Sequence, residues 1–446
     1  MHKQLSDITS MVNNLQLNKA KMRLTVLLRS VSQALNRKID SYSHYRPIAL
    51  NLQQLLNFAK EGGQLESYTY LQKELLVRLA NTMKEIECLP AVLQCTSSLK
   101  TVKSWFSESF SELLEFENAP PTEENFQRFT EAIKKIYYRH MHVVETVAEG
   151  IMDIVNYSKK QHLVIEKHLN YFLNRFYLMR ISNRMLINQH IMRFAKLEND
   201  AKHTCDRIDP ECDVAGVLEE AYCNAKFLCE QNYRMAPELK IIERNLDDEG
   251  QPIRIAYIPS HLFHITFELL KNALRAVVEH HGNKGTDSEL PPVQVTIYKG
   301  KVDLSLKIHD EGGGIPRMSM DKLFAYHYTT APKPVDRCPM AGLGYGLPLS
   351  RLYAWYFHGD MTVVSFEGFG TDACIYLKAL AENANELLPL FNPAAKKFYE
   401  NTSHSPWIRS PGHDIVDSGQ NVRPYAKQRK TGFRNDNEIA LIFNSS

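Results

Sequence analysis

No Cys-x-x-Cys pair occurs in this chain. Its eight cysteines, Cys88, Cys95, Cys205, Cys212, Cys223, Cys229, Cys338 and Cys374, never stand three apart, which excludes the common zinc and redox spacings. Eight cysteines in 446 residues are also too few for a disulfide scaffold, so reduced intracellular thiols are expected. No apolar run is long enough for a membrane span, and none is expected. Surplus charge is lacking too: 53 Lys and Arg stand against 51 Asp and Glu, a net charge of +2. Such a balance gives no broad field to draw nucleic acid, which is not expected as a partner. There is no Walker A loop, and the VAIK, HRD and DFG elements of the common protein kinases are missing. What remains is a globular mix, 44% hydrophobic and 23% charged, with a length that suggests two or three domains.

The N-terminus reads as an address. From Met22 to Tyr45 the chain holds Arg23, Arg29, Arg37 and Lys38 against Asp40 alone, with several serines. Leu24, Leu27, Leu28, Val31 and Leu35 fall on one helical face and the arginines on the other. This is the pattern of a mitochondrial transit segment, assigned to residues 1–46. The alternative is an ordinary amphipathic helix that packs on the domain. Either Met22 is the working start or the first 21 residues are tolerated.

Residues 47–200 read as a helical bundle. Leu71, Leu75, Leu79, Met83 and Ile86 recur at helical steps up to Pro90, and similar patterns run over 98–117, 123–157 and 163–196. After about residue 200 the pattern shifts to short strands at 253–259, 293–298, 302–310, 361–366 and 372–380, with helices between them at 213–233, 260–280 and 347–357. Several strands are consecutive, so the expected class is α+β, with an α/β sandwich over 201–385 and not a doubly wound sheet. Residues 386–446 read as a tail ordered only where something docks it.

Three segments carry candidate chemistry. In HITFELLKNALRA, His264, Glu268, Lys271, Asn272 and Arg275 share one side of a helix, opposite Leu270, Ala273, Leu274 and Val277. In HDEGGGIP, Asp310 ends a strand before Gly312, Gly313 and Gly314, which let a ligand approach the backbone closely. In AGLGYGLPLSRLYAWYF, Gly342, Gly344 and Gly346 lead into a helix whose N-terminal amides can bind an anion. Singly, each has an ordinary reading: a solvated helix face, a tight turn, a weak glycine motif.

In this order the three resemble the N, G1 and G2 boxes of the ATP-binding fold shared by Hsp90, DNA gyrase, MutL and bacterial histidine kinases. ELLKNALRA, DEGGGIP, FAYHYTTAPKP, GLGYGLPLSRLYAWYFHGDM and GFGTDACIYLKAL resemble the mitochondrial pyruvate dehydrogenase kinases, and LQKELLVRLANTMKEIECLP and NYFLNRFYLMRISNRMLINQH extend the likeness into the helical half. The resemblance implies a serine kinase of the mitochondrial matrix. It would use ATP and Mg²⁺, modify and inactivate the E1α subunit of pyruvate dehydrogenase, dock on the lipoyl domain of the E2 core and form a homodimer. It makes Glu268 the general base and His264 the residue that holds and tunes it. Asn272 would ligate Mg²⁺, Lys271 and Arg275 would neutralise phosphate charge, and Asp310 would accept from the adenine amino group. Gly312 and Gly314 would give the base room. Thr329, Thr330, Gly342, Leu343, Gly344, Tyr345, Gly346 and Leu347 would cover the phosphates, and Thr371 would add a nucleotide contact.

The sequence also departs from that family. Its helical half has a pocket for pyruvate-like inhibitors, and Arg180, Arg184 and His140 keep the expected cations. However, Tyr137 stands where an arginine is usual, Phe106 where a tyrosine is, Met141-His142 where Asn-Asp is, and Asn183 where an aliphatic residue is. Weak response to pyruvate or dichloroacetate is therefore expected. The C-terminal Asp-Trp pair keeps only Trp407. Two other readings stay open: a branched-chain ketoacid dehydrogenase kinase, and an ATP-binding scaffold with little phosphotransfer.

Overall fold

The computed structural model describes residues 32–89, 91–161, 166–195, 207–282, 289–326, 328–330, 344–392, 395 and 397. The transit pattern before residue 32, Gly342, Leu343 and Trp407 lie outside them.

The first half is helical: α1 (32–43), α2 (Leu52–Glu61), α3 (Gln64–Glu87), the single turn α4 (Ala91–Gln94), α5 (Ser97–Leu114), α6 (Glu123–Arg139), α7 (Val143–Gln161) and α8 (Glu166–Phe194). Local chemistry sets several starts. Asn51 and Gln54 form a reciprocal capping box at α2, while Thr96 and Thr122 cap α5 and α6. Helix α3 runs through the centre, with Leu71, Leu75, Leu79, Met83 and Ile86 all buried.

One expectation needs correction here. The helix expected over 123–157 is two, broken at residues 140–142. His140 leaves helical geometry (φ −88°, ψ 6°), and its ring stacks on Phe106 at 4.5 Å. No Pro or Gly marks the break, so the helical period runs on across it in the sequence. Helix α1 falls within the stretch read as an address, residues 1–46. Helix α1 packs on the bundle through the buried Ile39, and Tyr42 donates to Glu117 at 2.7 Å, with Lys38 on the same carboxylate.

The second half contains β1 (Asp209–Asp213), α9 (Val214–Tyr233), β2 (Leu239–Asn245), β3 (Arg254–Tyr257), α10 (Pro259–His281), β4 (Val293–Lys299), β5 (Asp303–Asp310), α11 (Arg317–Met320), α12 (Gly346–Tyr356), β6 (Asp360–Phe366) and β7 (Gly370–Lys378). Strands β1 and β3 form an antiparallel pair. The main sheet has the order β2-β4-β5-β7-β6, antiparallel except for β2 with β4. Alternation in β5 buries Leu304, Leu306, Ile308 and Asp310 beneath α10 and leaves Ser305, Lys307 and His309 on the other face. The class is α+β, as expected. Strands β1 and β2 were not legible: DPECD carries Pro210 and three acids, and LKIIERN lies at a sheet edge with mixed burial.

The segment expected to start a tail at 386 is a strap across both halves. Glu386 donates its amide to the Leu50 carbonyl and accepts the Leu50 amide on its carboxylate, both at 2.9 Å. Arg78 of α3 clasps the same carboxylate with both terminal nitrogens at 3.0 Å, and Tyr356 of α12 donates to it at 2.6 Å. Arg78 also donates to Glu74 at 2.7 Å, to the Ile48 carbonyl at 2.8 Å and to Ser182 of α8. Further along, Arg175 donates to the Leu390 carbonyl and Asn81 accepts the Phe391 amide.

Candidate functional site

A cleft of about 510 Å³ opens between α10, the glycine loop after β5 and the start of α12. Helix α10 lines one wall with Glu268, Lys271, Asn272 and Arg275, and Leu270, Leu274 and Val277 turn the other way into the core. Ile308, Val363, Ala373 and Leu323 add apolar lining. Gly312, Gly314, Thr329, Thr330, Gly344, Gly346, Leu347 and Thr371 also line it.

At the α12 side, Lys271 donates to Glu268 at 2.6 Å, with both side chains largely buried. Gly346 abuts that carboxylate so closely that a Cβ there would collide with it. Arg275 is engaged with Glu279 at 2.8 Å, and Tyr233 donates to the same Glu279 oxygen at 2.7 Å. Asp310 is 7% exposed. Burial pushes its carboxyl up to about 6, against the opposing Gly312 amide that donates to it at 2.9 Å. Beside it, Gly314 has φ +70° and its Cα faces the Phe366 carbonyl, a position closed to any side chain. Thr371 is the register partner of Asp310 and shares a 2.9 Å hydrogen bond with Ser365.

Two expected residues are not among the cleft's lining residues. His264 is half-buried one turn before Glu268, its ring 4.9 Å from that of Tyr353. Burial lowers its pKa and outweighs the opposing pull of Glu268, so the imidazole is neutral at pH 7. Its Nε2 has no hydrogen-bond partner among the described residues. Tyr345 is also buried, with its ring against Tyr326 and Tyr177. Conversely, Glu279 and His280 line the cleft and were missed. The signal for Glu279 was present: the steps 268, 272, 275, 279 continue one helical face.

A second, smaller cavity of about 20 Å³ lies in the bundle, room for roughly one water. Phe106, Tyr137, His140, Arg180, Asn183 and Arg184 line it. Arg184 donates to the Tyr137 hydroxyl at 2.8 Å and sits over its ring. Burial lowers His140 to about 4, so it is neutral.

The model for mitochondrial branched-chain alpha-ketoacid dehydrogenase kinase matches residues 49–217. The model for histidine kinase-, DNA gyrase B- and HSP90-like ATPases matches 257–381, which contains the large cleft. The mitochondrial pyruvate dehydrogenase (acetyl-transferring) kinase of Drosophila melanogaster is 46% identical over 406 residues, covering 89% of this chain and 95% of that protein. The chain belongs to the mitochondrial pyruvate dehydrogenase kinase family. The kinase of that name from Ascaris suum is 44% identical over 88% of this chain and 98% of its own length. Isozyme 4 of Homo sapiens is 45% identical over 83% and 90% respectively. Pyruvate dehydrogenase kinase relatives thus span both the bundle and the cleft.

Proposed function

We propose that this chain is an ATP-dependent protein serine kinase of the mitochondrial matrix that phosphorylates and inactivates the E1α subunit of pyruvate dehydrogenase. The observation that carries this is the 44–46% identity, over both halves of the chain, to kinases named for that complex. The cleft supports it with a buried acid, Asp310, at one side and a carboxylate–amide–cation row on α10 at the other.

In the proposed reaction the adenine amino group donates to Asp310, and the flat base lies over Ile308 and Ala373. The phosphates run toward the N-terminus of α12 and Lys271. Glu268 takes the proton of the incoming serine hydroxyl as the γ-phosphoryl group transfers in line. Lys271 fixes the orientation of that carboxylate, and the neutral His264 beneath it supports the same turn of α10. Among the described residues no cluster of three His, Cys, Asp or Glu could hold a metal. A magnesium ion would therefore come in with the phosphates, and the Asn272 amide oxygen, a hard ligand facing the cleft, fits it. When bound, the ion spreads the charge that develops on the phosphoryl oxygens.

The same reading assigns residues 1–46 to targeting, the helical half to docking the E2 lipoyl domain, and the second half to ATP. It also makes the chain a homodimer. In support, the helix-free face of the main sheet exposes Tyr298, Val364, Phe366 and Tyr376; a strictly monomeric chain in sedimentation would remove that part.

The test is transfer of labelled phosphate from ATP to purified pyruvate dehydrogenase complex, beside branched-chain complex. Labelling of pyruvate dehydrogenase E1α is the expected result. Labelling of the branched-chain complex alone would move the assignment to that substrate, and ATP binding without labelling would leave a scaffold.

Two predictions attach to the sites. Asp310→Asn removes a charged hydrogen bond of about 1.5–3 kcal/mol, so ATP affinity should fall about tenfold or more. Because ATP needs the carboxylate, wild-type affinity should decline as pH falls through about 6, while the Asn variant stays flat. The unliganded fold responds with the opposite sign: the folded-state pKa lies above the usual 3.8, so protonation below about 6 stabilises it. Calorimetric titration at several pH values checks both. The second concerns the small cavity. Tyr137 already engages Arg184, and a space of about 20 Å³ admits no carboxylate without rearrangement. Dichloroacetate and pyruvate should inhibit weakly, and inhibition like that of the family's sensitive members would refute this.

A further inference from the structure

Among the described residues, an aromatic side chain in the glycine turn that opens α12 packs against the helical half. Tyr345 stands between Gly344 and Gly346, both of which line the cleft, yet it is only 8% exposed. Its ring meets Tyr326 edge-on at 5.1 Å and Tyr177 of α8 at 6.2 Å, and those two rings are 5.8 Å apart. Tyr326 is held in turn by α8. Its amide donates to Asn170 at 3.1 Å and its hydroxyl to Asn174 at 3.0 Å. Asn170, Asn174 and Tyr177 lie at steps of four and three, so a single helical face grips both tyrosines. On the other side of the loop, Gly346 rests against the Glu268 carboxylate.

We propose that Tyr345 is a positioning residue for the nucleotide, and that its seat on Tyr326 and Tyr177 makes ATP affinity depend on α8 of the helical half. The two glycines leave the loop little stiffness of its own, because neither carries a side chain to pack. Edge-to-face aromatic pairs supply that stiffness. A loop that loses its seat keeps its sequence and its amides, but not their fixed place beside the cleft. The cost falls on binding rather than on proton transfer, because Glu268 is held separately by Lys271 at 2.6 Å.

This inference rests on the ATP reading above. It is tested with the full chain, comparing wild type, Tyr177→Leu, Tyr345→Leu and the double variant. ATP Kd is read by calorimetry, KM and kcat by phosphate transfer, and melting by calorimetry without nucleotide. Tyr177→Leu keeps an apolar side chain and touches no nucleotide. It should raise ATP Kd and KM by about tenfold, the effect of one or two lost aromatic contacts, with kcat at saturating ATP within about twofold of wild type. The double variant should be no worse than Tyr345→Leu alone, since both remove the same seat. Should Tyr177→Leu fail to fold, Asn174→Leu, which unties only the Tyr326 hydroxyl, takes its place with the same expected split. Unchanged Kd in a folded Tyr177 or Asn174 variant, or effects of the two tyrosines that simply add, would overturn the proposal. Absence of ATP binding by wild type would instead sink the ATP reading itself.

Discussion

Glu268→Gln is expected to lower the rate of phosphate transfer by about 10²–10⁴-fold while ATP still binds. The substitution keeps the shape and removes the charge. In wild type the carboxylate is held by Lys271 at 2.6 Å and faces Gly346, which leaves it one defined position at the mouth of the cleft. A glutamine there cannot accept the serine proton, and it leaves the Lys271 ammonium without its counter-charge in a largely buried place. The measurement is single-turnover labelling of pyruvate dehydrogenase E1α, with ATP Kd determined on the same sample. A rate within fivefold of wild type would remove Glu268 from the role of base. A lost rate together with lost ATP binding would make its role one of nucleotide positioning.

The largest effect on stability is expected at the strap. Arg78 is fully buried, and its guanidinium is shared among Glu74, Glu386, Ser182 and a carbonyl. Removing Glu386 leaves a buried guanidinium with Glu74 as its remaining carboxylate partner. Breaking a buried pair in this way costs about 3–5 kcal/mol. Glu386→Ala and Arg78→Ala should each show a loss of that order in denaturant unfolding. Replacing Glu74, Arg78 and Glu386 together by apolar residues of similar size should recover most of it, because no charge is then stranded. A Glu386→Ala variant as stable as wild type would show that the strap contributes little.

Much of this architecture was legible. The helical period of α3 and the alternation of β5 follow from residue spacing and sit where the spacing put them, while of the face read on α10 Glu268, Lys271, Asn272 and Arg275 line the cleft and His264 does not. What was not legible shares one cause: it depends on partners far away in sequence. At the break His140 stacks on Phe106, and no local breaker marks it in the sequence. The burial of Tyr345 needs Tyr177, and the docking of 386–391 needs Arg78, Asn81 and Arg175. Glycine-rich, polar or charged stretches look like loops when their partners are not in view. The cleft residues were easier to find than the elements that fasten them, because their chemistry is carried by residue type and theirs by distant contact.

Arg78 and Glu386 are separated by 308 residues. At synthesis rates of about 5–20 residues per second, the arginine leaves the ribosome roughly 15–60 s before its partner exists. During that wait Arg78 has Glu74, four residues before it on α3, but not the second carboxylate that shares its guanidinium in the finished fold. The bundle therefore completes its fold only after nearly the whole chain has been made. A chain that stops before residue 386 lacks that second carboxylate and the pairing with Leu50 that the strap supplies. The closing contact of the fold thus forms only once every residue of the cleft is present.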